Sequence, residues 1–503
     1  TLSIAVPIAR LAPLSANHPE SNAVGVDPTP ARRDNRRACL RALSCAGLAV
    51  AAGCLPACWL AGASPGILKD MTDYMVESLF KLRAAGVSAR GEVLAGLTTF
   101  LTMASILFVN PDILAQAGMD HGAVFVATCL AAAIGSAVMG LLANYPIAQA
   151  PGMGINAFFT FGLVKGLGLP WQTALGAVFV SGVLFMLVSI TRLREGFVNG
   201  IPLSLKQAIS AGVGLFIALI ALQQAGVVVA NPDTLVGLGD LHKPQALLAL
   251  AGFALIVTLE RWRVPGAILL GILAITALSS ALGLSEFNGV FAAPPSLAPT
   301  WLQLDVAGAL APGVLSVVLG FFLMSLTETS GTLIAVAQRG PFLDAEGKLP
   351  RLNRALLADS AAISVGALLG TSSTTSYLES SAGIAAGGRT GLTAVTVAGL
   401  FLASLFFAPL AAAVPPWATA PALVYVAMLM LKGFALLNWD DITEAAPALL
   451  CALTMAFTFS IADGIAFGAI AFVTLNLAAG RRQQIGWPVA LIASVFVLKY
   501  VLS

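Results

Sequence analysis

From Glu92 onward the chain alternates long apolar stretches with short polar breaks. A helix that crosses a bilayer needs roughly 20 predominantly apolar residues. On that measure the pattern predicts spans at 92–110, 123–143, 171–190, 203–225, 245–260, 265–283, 308–335, 355–370, 391–413, 417–437, 445–461 and 464–480. Two further apolar stretches, 147–166 and 371–390, are interrupted, which brings the count to fourteen segments. A last run, 487–502, is too short to assign.

The interruptions carry the most information. One reads Tyr145-Pro-Ile-Ala-Gln-Ala-Pro-Gly-Met-Gly-Ile-Asn156, the other Gly370-Thr-Ser-Ser-Thr-Thr-Ser-Tyr-Leu-Glu379. Each is the third segment in a run of seven, and seven is odd, so the second run enters the membrane from the opposite side. That arrangement is an inverted-topology repeat. Breaks at matching places in two such halves point to a binding site near the bilayer midplane. Irregular backbone at that depth persists only where it lines a cavity or is buried in protein.

Charge fixes the direction. Cytoplasmic loops collect Lys and Arg. With the N-terminus inside, the inner loops hold Arg192, Arg194, Lys206, Arg261, Arg263, Arg339 and further basic residues through Arg482, whereas the outer loops hold only Lys165 and Lys243. An error of one span would scramble that asymmetry. Only 10% of residues are charged and 58% are hydrophobic, against about 25% charged in a soluble domain. Lipid is therefore the main solvent. A net charge of +2 without a basic stripe argues against nucleic acid. Neither the six cysteines nor the three histidines, which lie in polar stretches, suggest a metal or redox centre.

Within this apolar background a few polar side chains stand out. Glu328 lies deep in an apolar run, where an ionisable residue is functional by default. Ser325, Glu328 and Thr332 share one helix face. Glu379 follows the 371–376 Ser/Thr run, at the expected start of a half-helix, and Thr375 and Ser376 bring hydroxyls to the same place. Asn156 opens the helical part of the other broken segment. Its amide suits the mixed edge of a heterocycle and equally suits an N-cap. Phe158 and Phe159 are candidates to stack on a flat ring, although such a pair in a membrane helix more often packs. Asp359, a turn or two beyond Arg354, reads as a structural ion pair. Two carboxylates, an amide, many hydroxyls and no cation in the expected cavity point to a neutral polar ligand and a proton.

Residues from about 76 onward resemble the nucleobase–cation symporter family of nucleobase–ascorbate transporters, in its AzgA-like adenine/guanine/hypoxanthine permease branch. The resemblance rests on Glu92-Val-Leu-Ala-Gly-Leu-Thr-Thr-Phe, Ala150-Pro-Gly-Met-Gly-Ile-Asn-Ala-Phe-Phe, Gly331-Thr-Leu and Gly370-Thr-Ser-Ser-Thr-Thr-Ser-Tyr-Leu-Glu-Ser-Ser-Ala-Gly-Ile, continuing through Gly387-Gly-Arg-Thr-Gly. It implies an all-α polytopic membrane protein of fourteen segments in two inverted repeats, with core and gate domains and short strands in segments 3 and 10. It implies proton symport of a purine nucleobase by alternating access, with Glu328 and Glu379 as substrate and proton ligands and Asn156 as a substrate ligand. One departure stands out: the purine branch is expected to carry Asp at the positions of Glu328 and Ser325. Glutamate there is more like the uracil and xanthine branches, so a xanthine/uracil permease is the alternative. A same-fold anion carrier, a channel and a polytopic membrane enzyme are weaker rivals.

The expected organisation is an N-terminal extension, 1–75, disordered or non-spanning, followed by repeats at 76–290 and 291–503. The protein is expected in the inner or plasma membrane with a cytoplasmic N-terminus, without a cofactor, and a homodimer through the gate domains is compatible with this plan. The apolar stretch 43–60 behind Arg32, Arg33, Arg36, Arg37 and Arg41 resembles a signal peptide. If it crossed the membrane, Lys69, Lys81, Arg83 and Arg90 would lie outside and the charge asymmetry would fail. Deleting residues 1–68 is accordingly expected to leave uptake intact. Loss of uptake in a truncated protein that still reaches the membrane would refute this.

Overall fold

The computed structural model describes residues 74–191, 200–287, 289–311, 313–343 and 349–502. The expected extension therefore lies outside the described residues except for its last two positions.

The first span runs longer than its apolar pattern suggested. Ser88 caps helix α1 (Ala89–Met103) by accepting the Gly91 N–H at 3.1 Å. After a turn at Ala104 and Ser105 the chain continues as α2 (Ile106–Ala115), which contains Pro111. Asp120 caps α3 (His121–Val138) through the Ala123 N–H at 2.7 Å, and a π-helical turn carries it to Ala143. There Asn144, at φ +52°, ends it.

The third segment is broken, as expected. A strand β1 (Gln149–Pro151) leads into a short helix α4 (Met153–Ala157) and a π-helical stretch, Phe158–Gly166. Helices α5 (Trp171–Ile190) and α6 (Leu203–Gln224) follow. Next comes a hairpin of β2 (Val228–Asn231) and β3 (Leu235–Leu238), which the hydrophobic pattern did not predict. The Asn231 side chain shapes its turn by accepting the N–H groups of Asp233 and Thr234. Helices α7 (Pro244–Arg261) and α8 (Ala267–Ala281) complete the first half.

A short helix α9 (Val306–Ala309) precedes α10 (Leu315–Ala337), which begins later than the predicted 308, and then α11 (Leu352–Leu369). The second break holds β4 (Thr374–Ser376) and α12 (Ser380–Ala385). The chain continues through α13 (Gly391–Ser404), α14 (Ala408–Ala412), α15 (Pro416–Met430), α16 (Ile442–Thr458), α17 (Ile461–Ala478) and α18 (Trp487–Leu502). The unassigned final run is thus helical and packs on α17. Among the described residues ten helical stretches are long and apolar enough to span a bilayer, with α8, α16 and the 487–498 part of α18 as shorter apolar helices.

These elements fall into two packing groups. Helices α1, α3, α5, α10, α11 and α13 pack mainly with one another, around buried Phe125, Phe159, Phe185, Phe321 and Phe322. Helices α6, α7, α8, α15, α16 and α17 form the other group. Close approach within the first group depends on missing side chains, as is common between membrane helices. A Cβ on Gly391, at the start of α13, would lie 1.9 Å from the Gly140 carbonyl oxygen. Gly370 ends α11 at φ +91°, where its missing side chain also leaves room for Thr300.

One buried carboxylate joins the ends of three elements in this group. Glu92, on α1, accepts the backbone N–H groups of Arg389 at 2.8 Å and Thr390 at 3.1 Å, and the Thr393 hydroxyl at 2.6 Å. It thereby satisfies the orphan donors at the start of α13. The Arg389 guanidinium in turn donates to the carbonyls of Ile384 and Gly388 at 2.6 and 2.7 Å, closing the end of α12. Glu92→Ala leaves these buried donors without a partner and is expected to cost about 2–3 kcal/mol, lowering the thermal unfolding midpoint of the purified protein. Glu92→Gln, which keeps an accepting oxygen, should recover part of the loss. An unchanged midpoint in Glu92→Ala would show that the cap carries no weight.

Candidate functional site

The two broken segments meet. Strand β1 pairs antiparallel with β4, with Gln149 opposite Ser376, Ala150 opposite Thr375 and Pro151 opposite Thr374. The pairing extends past the strands, since the Gly152 N–H donates to the Ser373 carbonyl at 2.9 Å and the Tyr377 N–H to the Ala148 carbonyl at 3.0 Å. The Tyr377 hydroxyl adds a bond to the Pro151 carbonyl at 2.6 Å. Residues more than 200 positions apart in sequence are thus fixed within one small sheet.

Behind the sheet lies Asp359, fully buried on α11. Its carboxylate accepts Gln149 Nε2 at 3.0 Å, Ser376 Oγ at 2.7 Å and Thr329 Oγ1 at 2.5 Å. This corrects the expected ion pair with Arg354, whose side chain is exposed. Asp359 lies on the inward face of α11, and Arg354 near the start of the helix points away from it. The carboxylate ties both strands and α10 to α11, and charge-assisted bonds of this kind are stronger than neutral ones.

In front of the sheet, at the seam between the two packing groups, a cavity of about 380 Å³ opens. Glu328 and Thr332 from α10 line it, together with Ser376, Tyr377 and Glu379 beside β4. Gly152, Met153 and Gly154 contribute from the other broken segment. The facing wall comes from α6, with Lys206, Gln207 and Ser210, and from the end of α15 with the turn after it. One carboxylate oxygen of Glu328, Oε2, has no hydrogen-bond partner. A buried acceptor without a partner calls for an explanation such as an absent ligand or water.

The remaining candidates sit one layer back. Asn156 is buried inside α4; Gly152 holds the N-cap position, because its extended backbone ends the strand pairing just where the helix can start. Asn156 accepts a hydrogen bond from the Ser372 hydroxyl, while its Nδ2 has no partner. Thr375 is buried beside Gly152, and its hydroxyl has no partner either. Phe158 packs edge-on against Phe321, with ring centroids 5.2 Å apart, and does not reach the cavity wall. Ser325 turns from the Glu328 face to meet Ser373, oxygen to oxygen at 3.2 Å.

One feature of the wall was missed by the sequence pattern. The expectation of a cavity without a cation is corrected by Lys206, which reads in sequence as a loop residue but lies in the first turn of α6 and faces inward. Tyr377 lies on the wall beside the predicted hydroxyl run. Among the described residues no group of three His, Cys, Asp or Glu side chains is placed to hold a metal.

The architecture and the sequence both have relatives. The transmembrane domain of a cyanobacterium bicarbonate transporter, BicA, shares the fold at a TM-score of 0.56 and 16% identity, covering 74% of this chain and 96% of its own. The adenine permease AdeP of Escherichia coli is 47% identical over 85% of this chain and 96% of its own length. The guanine/hypoxanthine permease PbuO of Bacillus subtilis is 43% identical over 84% of this chain and 99% of its own. The family model Xan_ur_permease, described as Permease family, matches residues 90–467. The chain therefore belongs to the Permease family and is a multi-pass membrane transporter rather than an enzyme.

Proposed function

We propose that the chain imports a purine nucleobase together with a proton by alternating access. The observation that carries this reading is the seam cavity, where two carboxylates from one packing group face amide and hydroxyl groups from the other. A purine presents donors and acceptors along its edges and an apolar face. Glu328, Glu379, Ser376, Tyr377 and Gln207 match the edges, and Met153, Met324 and Val213 the face. The similarity to the adenine permease AdeP and the guanine/hypoxanthine permease PbuO supports the same substrate class.

In this reading the fourteen segments form two inverted runs of seven. Antiparallel pairing of β1 with β4, each in the third segment of its run, supports that symmetry. The groups built on α10 and on α6 act as core and gate. The gate-side wall of the cavity draws on Leu203 to Ser210 at the start of α6 and on Leu429, Met430 and Gly433. Lys206 and Lys432 lie at or just beyond these helix ends and Arg339 just beyond the end of α10, which by the positive-inside rule supports a cytoplasmic mouth. The structure then corresponds to the inward-open stage of the cycle. Asn156 and Thr375, with their unpartnered polar atoms one layer behind the wall, support the site rather than the ring itself.

Glu328 is the proposed proton carrier. An empty, charged carboxylate resists transfer to a closed low-dielectric site, so closure favours the protonated, purine-loaded form. Binding of proton and purine then favour each other by reciprocal linkage. Glu328→Gln, a mimic of the protonated state, is expected to abolish concentrative uptake, keep measurable purine binding and flatten its pH dependence. Glu379→Gln should weaken binding by about tenfold or more, the loss of a charge-assisted hydrogen bond. Binding to purified protein across pH, beside uptake into energised vesicles, checks both. Accumulation by Glu328→Gln with an unchanged pH profile would overturn the assignment. Competition of labelled hypoxanthine by adenine, guanine, xanthine and uracil tests the substrate class, and preference for uracil or xanthine would favour the other branch.

A further inference from the structure

Away from the cavity mouth the two packing groups meet again, through α2 and α15. Helix α2 packs mainly on α3 and also reaches α15. On α15 the contact falls near the helix start, at Thr419, whereas the cavity wall begins at Val426. Seven residues separate the two, about 10 Å along the axis at the usual rise. On α2 it falls at Asp112, near the helix end. That end of α2 is anchored to the second broken segment, because Asn110 Nδ2 donates to the Thr371 hydroxyl at 2.8 Å and to that of Thr128 at 2.6 Å.

Asp112 is half satisfied. One carboxylate oxygen, Oδ1, lies 3.2 Å from His121 Nε2 at the start of α3. The other, Oδ2, is buried without a hydrogen-bond partner. Thr419 faces the carboxylate but spends its own proton on the Pro416 carbonyl, at 3.0 Å. The imidazole side chain is 30% exposed and that of Asp112 only 11%, so His121 is the member of the pair that meets water.

The other ionisable groups nearby are engaged or remote. Asp120 accepts the Ala123 N–H at 2.7 Å. Lys165, in the π-helical stretch that packs on α2, lies over the Phe161 ring. Cys129 is buried two turns into α3, and Tyr425 lies near the other end of α15, beside Glu260. On α11, which packs on α3, Asp359 is held by Gln149, Thr329 and Ser376, and Arg354 is exposed near the helix start. Helices α4 and α14 and strand β1, which also pack on α2, carry no ionisable side chain.

We propose that Asp112 and His121 form the outer gate of the carrier, a carboxylate–imidazole pair that takes up one proton from the outer solution as the seam between α2 and α15 closes. The proposal rests on the alternating-access reading and the orientation given above. With α2 and α15 apart, Asp112 Oδ2 is open to water. With them together it faces Thr419, and no donor replaces that water. Burying an ionised carboxylate in this way is costly unless its charge is compensated. One proton on the pair supplies the compensation, as imidazolium beside carboxylate or as carboxylic acid beside imidazole. The closed seam therefore binds the proton more tightly than the open one. By linkage, closure is favoured at low outer pH and lost as outer pH rises, over the range in which histidine ordinarily changes charge. The proton comes from outer water and returns there when the seam reopens. It is distinct from the carried proton, which stays with Glu328.

The test uses the full chain, with Cys39, Cys45, Cys54 and Cys58 replaced by serine. Thr419→Cys places a reporter thiol in the seam, and a membrane-impermeant maleimide reads its exposure. The same chain without Thr419→Cys gives the background from the buried Cys129 and Cys451. Labelling rates are divided by those of a free thiol at the same pH. The reporter should be protected near about pH 5 and labelled at least about tenfold faster near about pH 8. Asp112→Asn, which needs no proton to close, should stay protected throughout. His121→Gln, which leaves the carboxylate to hold the proton alone, should move the rise to lower pH by about one unit or more. At neutral pH the two variants thus change labelling in opposite directions. A clamp that merely fastens the α2–α3 turn would make both variants label faster at every pH, and that result overturns the proposal. So does a reporter whose labelling ignores pH with Asp112 and His121 both in place, a result that does not depend on how either variant folds. Uptake of hypoxanthine by the unmodified chain that ignores an uncoupler would remove the symport reading itself. Uncoupler-sensitive uptake beside pH-independent labelling removes only the gate.

Discussion

Among its membrane-spanning helices this chain abandons the helix twice, and each time its backbone donors and acceptors need partners that lipid does not supply. The two breaks satisfy each other. Pairing of Gln149–Pro151 with Thr374–Ser376, extended by Gly152 with Ser373 and Tyr377 with Ala148, closes the hydrogen-bond ledger at the one place where no helix could. Much else follows from this constraint. The strands have to be buried, so α2, α3, α10 and α11 gather around them. The residues following each strand turn into short helices, which brings both Met153 and Glu379 to the cavity wall. Asp359 then locks the result by accepting bonds from both strands and from α10. The wall carrying Glu328 is consequently tied to both strands through one hydrogen-bonded frame.

Much of this was legible in the sequence, because a bilayer leaves few choices. Most predicted spans match observed helices to within about three residues; 171–190 is the same in both. The larger misses fall at 92–110 and at 308–335. The first was extended by Pro111 being accommodated inside a helix rather than ending one. The second was shortened because the apolar residues before Leu315 form a separate turn, α9, capped by Asp305. The hairpin at 228–238 escaped notice because it is exposed and short, and its alternation is too brief to stand out beside spans of twenty residues.

Side-chain direction was less legible than segment position. Lys206 lies so near a span boundary that its charge reads as part of a loop, and only the packing of α6 against α15 and α16 turns it toward the cavity. Asp359 and Arg354 are five residues apart, a separation that places them on different faces of a helix, and burial of one with exposure of the other follows. Asn156 was expected at a helix start because Pro151, Gly152 and Gly154 suggested a longer break. Gly152 instead ends the strand and begins the helix at once. For Lys206 and Asp359 the residue type was informative and the missing quantity was a rotation about a helix axis; for Asn156 it was the helix boundary.

The contrast between Glu328 and Asp359 shows how such rotations divide labour among chemically similar groups. Thr329, the residue after Glu328, points to Asp359 and completes its set of partners. A step of one residue turns a helix by about 100°, so Glu328 points elsewhere, to the cavity. Asp359 has its acceptor sites occupied by the fixed groups that hold the sheet, and a ligand could engage it only by dismantling that frame. Glu328 keeps an oxygen without a partner, and its position on the same helix means that it is held as firmly as the frame itself. The role proposed for Glu328 needs both conditions at once: a group whose place is fixed and whose valence is open. Here the fixed place comes from Asp359, and the open valence from the single residue step that separates Glu328 from Thr329.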